Sequence, residues 1–429
     1  MSAADRAAAP EPGEQSFGET TRMRILMACA AFPPFMDGGG PVSAMMVARL
    51  LQRAGHDVLV VNVEDEDRYE VQDGVPVHRL PSLNIYWNYR VPRPGWKKVV
   101  WHLLENFNPR AYIAMQREIA RFRPDLVLTD SIENINVATW GAAKAAGVPV
   151  CHIVRSHFLL CWKGSMMKGG DACAGQCASC RLTSVGKRFM SRYVDGVIGE
   201  TDFVLGRHRD NGYFPRAVFR RIPGAIEAVH AAAPRPAPFD RPLRVGFIGV
   251  HTRLKGLDTL AEAARNFAPG VPVEFVIAGT GDDAFARETR ARFPDWNTRF
   301  LGWTTPEAFF PEIDVLVVPS RGPEVFGRVS IEAFAHGVPV IGARSGGIPE
   351  VIGPDSGFTF PPGDVEALTA ILRRLIEAPA TVATLSAGAL AAAQAYLAPR
   401  IGAEFTRVLD EVRVRGAARP AAAILPGAA

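Results

Sequence analysis

The sequence predicts an α/β protein of two doubly wound domains facing each other across a cleft. Three observations carry this. Short apolar runs of strand length alternate with helical patterns almost from end to end, as in parallel sheets with crossover helices. That rhythm breaks once, at a proline-crowded stretch, and starts again after it. A length of 429 residues exceeds one ordinary core and suits two domains of about 200 residues each.

Residues 1–21 are rich in Ala, Pro and Glu and hold no apolar run, so they are expected to form a disordered leader, not a secretory signal or a strand. Arg24–Ala30 (RILMACA) has the length of a buried strand, and the loop after it carries Gly38-Gly39-Gly40. Ser43–Ala54 places Met46, Val47, Leu50 and Leu51 at helical spacing, with Gly55 as a stop. Asp57–Val63, Val75–Leu80, Asp125–Thr129, Val148–Val154 and Gly196–Ile198 are the further strands of an N-terminal domain over 22–222. Within it, 158–183 is a cysteine-bearing insert without periodicity.

Over 223–242, Pro234, Pro236, Pro238 and Pro242 exclude helix and central strand and mark a hinge. The C-terminal domain, 243–396, starts with Leu243–Val250 and continues through Val273–Ala278, Phe300–Gly302, Asp314–Val318 and Val338–Ile341. A last helix is expected over 397–415, crossing back to the first domain, and 416–429 reads as a disordered Ala/Pro tail. Domains of this kind bind ligands outside the carboxyl ends of their strands.

Composition narrows the function. Lys+Arg 48 against Asp+Glu 44 leaves +4, too weak a charge to imply a nucleic-acid partner. No apolar run approaches the roughly 18 residues of a spanning helix. Six cysteines in a chain of this length fit a reducing cytoplasm better than a disulfide framework.

The most informative stretch is Pro319–Glu350. A loop bearing Glu324 leads through Gly327 into a short helix from about Arg328 to His336, closed by Gly337, with Glu332 on that helix. A glycine-rich loop entering a helix presents free N–H groups and a partial positive charge, a ready phosphate site. Surface charge on a loop and a helix is the blander reading of the two acids.

Glu324 and Glu332 with Phe326-Gly327 between them, Gly337-Val338-Pro339-Val340, and Gly346-Gly347-Ile348-Pro349-Glu350 together resemble the retaining glycosyltransferases of family 4, with the GT-B fold. The resemblance extends to Phe247-Ile248-Gly249 with Lys255-Gly256, Ala278-Gly279-Thr280-Gly281, Gly363-Asp364, the Gly38–Gly40 loop and Ile222-Pro223-Gly224. It covers roughly 22–412 and is specific because many landmarks occur in order.

The resemblance implies a nucleotide-sugar donor bound by the C-terminal, Rossmann-like domain. Glu332 would meet the ribose hydroxyls, and Gly327 with the backbone of Arg328, Val329 and Ser330 the diphosphate. Glu324 would contact the transferred sugar and Lys255 the leaving diphosphate, where fixed charge in a dry cleft acts strongly. Gly249 and the Gly38, Gly39 and Gly40 loop would approach the phosphates without side chains in the way. His157, after the strand ending at Val154, matches a histidine on the acceptor side; a solvated loop histidine is the plain alternative. One departure stands out. Where many relatives place an arginine after the glycine, this chain has Val250, and Arg253 is the nearest substitute.

Three further features stay outside that frame. Asp65-Glu66-Asp67 spells a metal–diphosphate signature of another fold, but it sits in a charged run and reads as a solvated loop, so no metal is expected for transfer. Cys161, Cys173, Cys177 and Cys180 have spacings that suit structural zinc or an iron–sulfur cluster; reduced free thiols are the alternative. Residues 84–107 combine Tyr86, Trp87, Tyr89, Trp96, Trp101 and Phe107 with Arg90, Arg93, Lys97 and Lys98. They suit either the face of an anionic membrane or a helix packed on the first sheet.

The expectation is a retaining glycosyltransferase, cytoplasmic or peripheral at the inner face of the membrane. It would move a hexose-type sugar to a glycan, a lipid-linked polysaccharide precursor or a small molecule. A sugar-nucleotide epimerase on the same fold, and a degenerate nucleotide-sugar binder, are the alternatives.

Overall fold

The structure, a computed structural model, describes residues 21–34, 38–86, 94–236, 240–281 and 283–418. The expected leader, Trp87, Tyr89, Arg90, Arg93 and most of the expected tail lie outside the described residues.

The first sheet holds β1 (Arg24–Cys29), β2 (Asp57–Glu64), β3 (Arg68–Gln72), β4 (Val75–Pro81), β5 (Leu126–Asp130), β6 (Val150–Val154), β9 (Gly196–Gly199) and β10 (Val218–Arg221). Between β6 and β9, β7 (Met167–Lys168) and β8 (Asp171–Ala172) pair as a small antiparallel hairpin in the insert. The spatial order is β10-β9-β6-β5-β1-β2-β4-β3, parallel except for β3 on β4. The second sheet comprises β11 (Leu243–Ile248), β12 (Val273–Ala278), β13 (Thr298–Gly302), β14 (Val315–Val318), β15 (Val340–Ala343) and β16 (Gly357–Phe360). Its order is β13-β12-β11-β14-β15-β16, all parallel. Each sheet has an apolar core on both faces, which is why the strands read as continuous apolar runs.

Two strands begin later than their apolar runs. The runs at Val148 and Val338 are interrupted by Pro149 and Pro339, which lack an N–H; pairing starts at Val150 and Val340. The charged run around Asp65-Glu66-Asp67 is not wholly a loop: it turns into β3, whose charges are paired. Arg68 meets Glu64 at 2.9 Å, Arg79 meets Glu70 at 2.6 Å, and Asp67 meets His78 at 2.9 Å. A charged edge strand of this sort resists pairing with other chains.

The chain passes between the domains twice, side by side. Ile226 N donates to Tyr396 O, and Ala398 N donates to Ile226 O, both at 2.9 Å. The proline-rich segment beyond Ile226 is already fastened to the second domain, with His230 N on Ala335 O and Arg235 N on Ser386 Oγ. Of the expected hinge 223–242, His230 and Arg235 are thus bonded to the second domain, and 237–239, with Pro238, lie outside the described residues. The last helix, Ala398–Ala417, lies on the first domain and buries Ile401, Phe405, Val408, Leu409 and Val412 there. Its glycines permit the approach: a Cβ at Gly416 would come within 2.6 Å of Pro149.

Candidate functional site

The loop leaving β14 is clamped to the loop leaving β11. Arg321 N and Gly322 N both donate to Leu254 O at 3.0 Å. Gly256, at φ +68°, lies so close to Pro319 O that any side chain would collide with it. This contact sets Lys255 beside the acid: its Nζ donates to Glu324 Oε1 at 2.7 Å, and Ser320 Oγ donates to the same oxygen at 2.8 Å. Burial pushes the Glu324 carboxyl up, but Lys255 and Ser320 outweigh it and hold the group below the usual carboxylate range. From the far side, Gly347 N donates to Glu324 O at 2.8 Å, and Gly346, at φ +63°, leaves no room for a Cβ.

The first domain grips the same loop. His157 Nε2 donates to Pro323 O at 2.9 Å, and Thr201 Oγ1 donates to Val325 O at 2.6 Å. Burial lowers the imidazole pKa, and the buried Nδ1 of His157 has no hydrogen-bond partner. Glu350 takes Asp202 N and Phe203 N, each at 2.7 Å. These are the first N–H groups of the Asp202–Asp210 helix, so a carboxylate from one domain caps a helix of the other.

Beyond Val325, Gly327 at φ +84° turns the chain into the Arg328–Ala335 helix. Facing it is the start of the Gly39–Arg53 helix, entered through Gly38 at φ +87°. A Cβ on Gly39 would lie 3.5 Å from Arg328 Cδ, so the two helix N-termini meet across the cleft. Neither first turn contains an acid, and the two positive ends reinforce one another. Arg328 adds a guanidinium: Nε donates to Glu332 Oε1 at 2.8 Å and Nη1 to Ala225 O of the other domain at 3.1 Å. Burial pushes the Glu332 carboxyl up despite that partner. Ser330 Oγ is buried without a partner.

Lys255, Glu324 and His157 thus converge; a few residues beyond Glu324, Gly327, Arg328, Val329, Ser330 and Glu332 form the start of one helix, and Gly38, Gly39 and Gly40 face it from the other domain. Gly249 ends β11 against Gly279, whose Cβ would strike Gly249 O. Arg253 does not join them: its guanidinium lies 4.9 Å from the ring of Phe285. Val250 is 52% exposed and supplies no charge. The site has one basic side chain at Lys255 and a second at Arg328, whose side chain the sequence did not single out.

A buried triad was also not foreseen. Arg155 Nε donates to both Asp130 oxygens at 2.8 and 2.9 Å, and Nη1 to Glu200 Oε1 at 2.5 Å. Asp130 and Arg155 stand at or just past the ends of β5 and β6, Glu200 just past β9. Arg155 and Glu200 line one cavity with Gly224 and Arg328. The signal was a charged residue at the carboxyl end of three apolar runs, where such sheets place ligands. A second cavity, about 380 Å³, lies between the domains and is lined by Asp171, Phe203, Arg207, Arg321, Pro323 and Arg344.

The four cysteines with metal-ligand spacing lie near one another: the Cys180 thiol interacts with those of Cys161 and Cys177, and Cys173 with Cys161 and Cys177. Among the described residues no group of three or more Cys, His, Asp or Glu side chains is arranged to hold a metal ion. Cys161 and Cys180 turn into the apolar core, and burial pushes the Cys180 thiol up to about 12. Cys177 packs at the edge of the same core with its Sγ 3.2 Å from Ser179 Oγ, a contact that with the N–H and thiol of Cys180 brings its pKa down to about 7. All four thiols are free.

Comparisons with known proteins agree with this geometry. Residues 242–378 match the family model for glycosyl transferases group 1, and residues 38–225 that for a glycosyl transferase 4-like domain. A glycogen synthase of Mycobacterium tuberculosis is 31% identical over 380 residues, spanning 83% of this chain and 87% of that protein. An uncharacterized 42.6 kDa protein in the cps region of Klebsiella pneumoniae is 29% identical over 332 residues, 77% of this chain and 87% of its own length. The crystal structure of Anabaena HepE in complex with UDP and glucose superposes with a TM-score of 0.66 at 18% identity, covering 91% of this chain and 100% of that one. The two Rossmann-like domains are those of a GT-B fold, and the chain belongs to the group 1 (family 4) glycosyltransferases.

Proposed function

We propose that the protein transfers a hexose-type sugar, with retention of configuration, from a nucleoside-diphosphate sugar to a hydroxyl of a glycan, lipid-linked or small-molecule acceptor. The observation that carries this is the Lys255–Glu324 pair beside two facing helix N-termini free of acids. N–H groups of both helices would receive the diphosphate, and Lys255 would turn from Glu324 to the leaving phosphate. Glu324, released, would accept hydroxyls of the sugar, and Glu332 those of the ribose. His157 stands on the acceptor side. A nucleotide donor is supported by the neighbour that holds UDP and glucose. Closure about the Ile226–Leu397 crossing would exclude water, and the free thiols suit a reducing cytoplasm.

The test is a thermal-shift screen with UDP, GDP, ADP and their sugars without added metal, then transfer followed by NMR of the anomeric proton. One nucleotide should raise Tm, and the product should keep the donor's configuration. An inverted product removes the mechanism.

Val250 and the outward Arg253 favour a second reading, a nucleotide-sugar binder with weak or no transfer. Val250→Arg separates the two. A rise in transfer of about tenfold or more, from negligible wild-type turnover, would support the degenerate reading; an active wild type little changed by the substitution would remove it.

A further inference from the structure

The helix Gly95–Leu104 was expected to pack its apolar stripe on the sheet or to present it outward. Of that helix only Trp101 is buried. Trp96 is 65% exposed, Val99 60% and Leu103 67%, and these positions share one helical face. The exposed apolar surface continues through Trp162 and Leu182 of the insert, the latter 77% exposed, and onto the helix after it, Val185–Met190, where Val185 is 53% exposed and Phe189 also accessible.

The two parts are stitched together. Asn106 Nδ2 donates to Thr183 O, and Asn106 Oδ1 accepts from Gly186 N, both at 2.9 Å. Trp162 meets His102 edge-on at 5.3 Å. This clustering separates the surface from singly scattered exposed apolar residues, which need no explanation.

Its charge has one sign. Over 94–113 and 178–193 the cations outside the core are Lys97, Lys98, Arg110, Arg181, Arg188 and Arg192. The one carboxylate in those segments, Glu105, is buried against Lys187 and His102. Several cations lie along the aromatic rings: Lys97 on Trp96, Arg192 on Phe189, and Lys163 on Trp162. Long basic side chains around an apolar centre set their charges at headgroup level while the centre enters the acyl boundary.

We propose that this face docks the protein on a bilayer containing anionic phospholipid, with Trp96, Val99, Leu103 and Leu182 entering the interface and the six cations meeting phosphate groups. The charge pattern favours this occupant over a second copy of the chain, whose equivalent face would bring like charges together. The insert that carries part of the patch begins directly after His157, so docking would bring the membrane to the domain that holds the acceptor side of the cleft. That last step rests on the transferase reading; the docking does not.

Cosedimentation of the full chain with vesicles tests it, one set phosphatidylcholine alone and the other containing phosphatidylglycerol. Binding should appear with the anionic vesicles and weaken steeply with salt. Leu103→Ser with Leu182→Ser should reduce it about tenfold, and so should Lys98→Glu with Arg188→Glu, with Tm and nucleotide-induced stabilisation unchanged. No pelleting with anionic vesicles at low salt overturns the proposal, as does equal pelleting of both variants. So does a dimer in sedimentation velocity that either variant dissociates, which would give the face to a second copy. Because the readout is pelleting, failure of docking and failure of the transfer reading are distinguishable.

Discussion

Replacing Lys255 by alanine separates what the cation does for the fold from what it does for the reaction. In the resting structure Lys255 is two-fifths exposed and Glu324 one-fifth, at 2.7 Å. A pair so open to water contributes about 0–1 kcal/mol to folding. For a domain of this size that is a fall in Tm of at most about 2–4 °C. In the proposed reaction the ammonium faces charge developing on the leaving diphosphate, where loss of one such group costs about 2.7–4 kcal/mol, or ~10²–10³ in kcat. The pH dependence adds a signed check. Glu324 has a lowered pKa, so it contributes stability at neutral pH that is lost as pH falls through the acid range. Without Lys255, burial is opposed chiefly by Ser320. The carboxyl then moves upward, and the variant's stability should fall as pH rises through the new value. The assays are steady-state transfer with the donor whose nucleotide stabilises the protein, and Tm against pH. A Lys255→Ala enzyme within threefold of wild type, with an unaltered acid limb, would refute the reasoning.

Further outcomes follow from the same geometry. Glu332→Ala should weaken nucleotide binding about 10–150-fold, the worth of a hydrogen bond to a charged group (~1.5–3 kcal/mol), read by calorimetry; unchanged affinity would remove the ribose assignment. Gly256→Ala forces a Cβ onto Pro319 O at positive φ and should lose more than about 2 kcal/mol in denaturant titration. Gly40→Ala, with nothing within 4 Å, serves as its control, and equal stability of the two would be contrary evidence. Arg155→Met strands Asp130 and Glu200 in the interior and should cost about 3–5 kcal/mol by the same measurement.

What was legible in the sequence follows from which forces act along the chain and which across it. Strands buried on both faces announce themselves as apolar runs, so both sheets and the glutamate-bearing loop between Asp314–Val318 and Arg328 could be placed. β3, β10 and β16 escaped: β3 because an edge strand paired through Arg68, Glu70 and Arg79 has the composition of a loop, and β10 and β16 because four-residue edge strands (VFRR, GFTF) are too short to stand out as apolar runs. The Arg328 side chain, Glu350 on the Asp202–Asp210 helix and the Arg155 triad all depend on partners distant in sequence. The cysteine spacing was compatible with metal, but spacing does not say which thiols the core will take. In the fold Cys161 and Cys180 are buried, while Cys173 and Cys177 pack at the edge of the same cluster, Cys177 also against Ser179. The N-terminal half of the cleft was least legible because its residues are held by packing and cross-domain bonds rather than by a local motif.

The two glutamates at the heart of the site share one arrangement that bears on how a charged donor enters a closed cleft. Each is held by one cation: Glu324 by Lys255, and Glu332 by Arg328. Each cation also lies where a diphosphate would be received, Lys255 beside the acid loop and Arg328 at the junction of the helix N-termini. Binding in the proposed reaction is then an exchange of partners. Phosphate oxygens take the cations and hydroxyls of sugar and ribose take the carboxylates, so each carboxylate exchanges a cation for neutral donors and keeps hydrogen-bond partners throughout. Such a site avoids most of the desolvation penalty of bringing an anion to bare acids. It also couples the two halves of the donor, because a nucleoside without phosphates can engage Glu332 only while Arg328 still competes for it. A bare nucleoside should therefore bind far more weakly than its diphosphate, and Arg328→Ala, which frees Glu332 but removes the cation, should narrow that gap in calorimetric affinities. An undiminished gap in Arg328→Ala would show that the helix N-termini, not the exchange, provide the phosphate affinity.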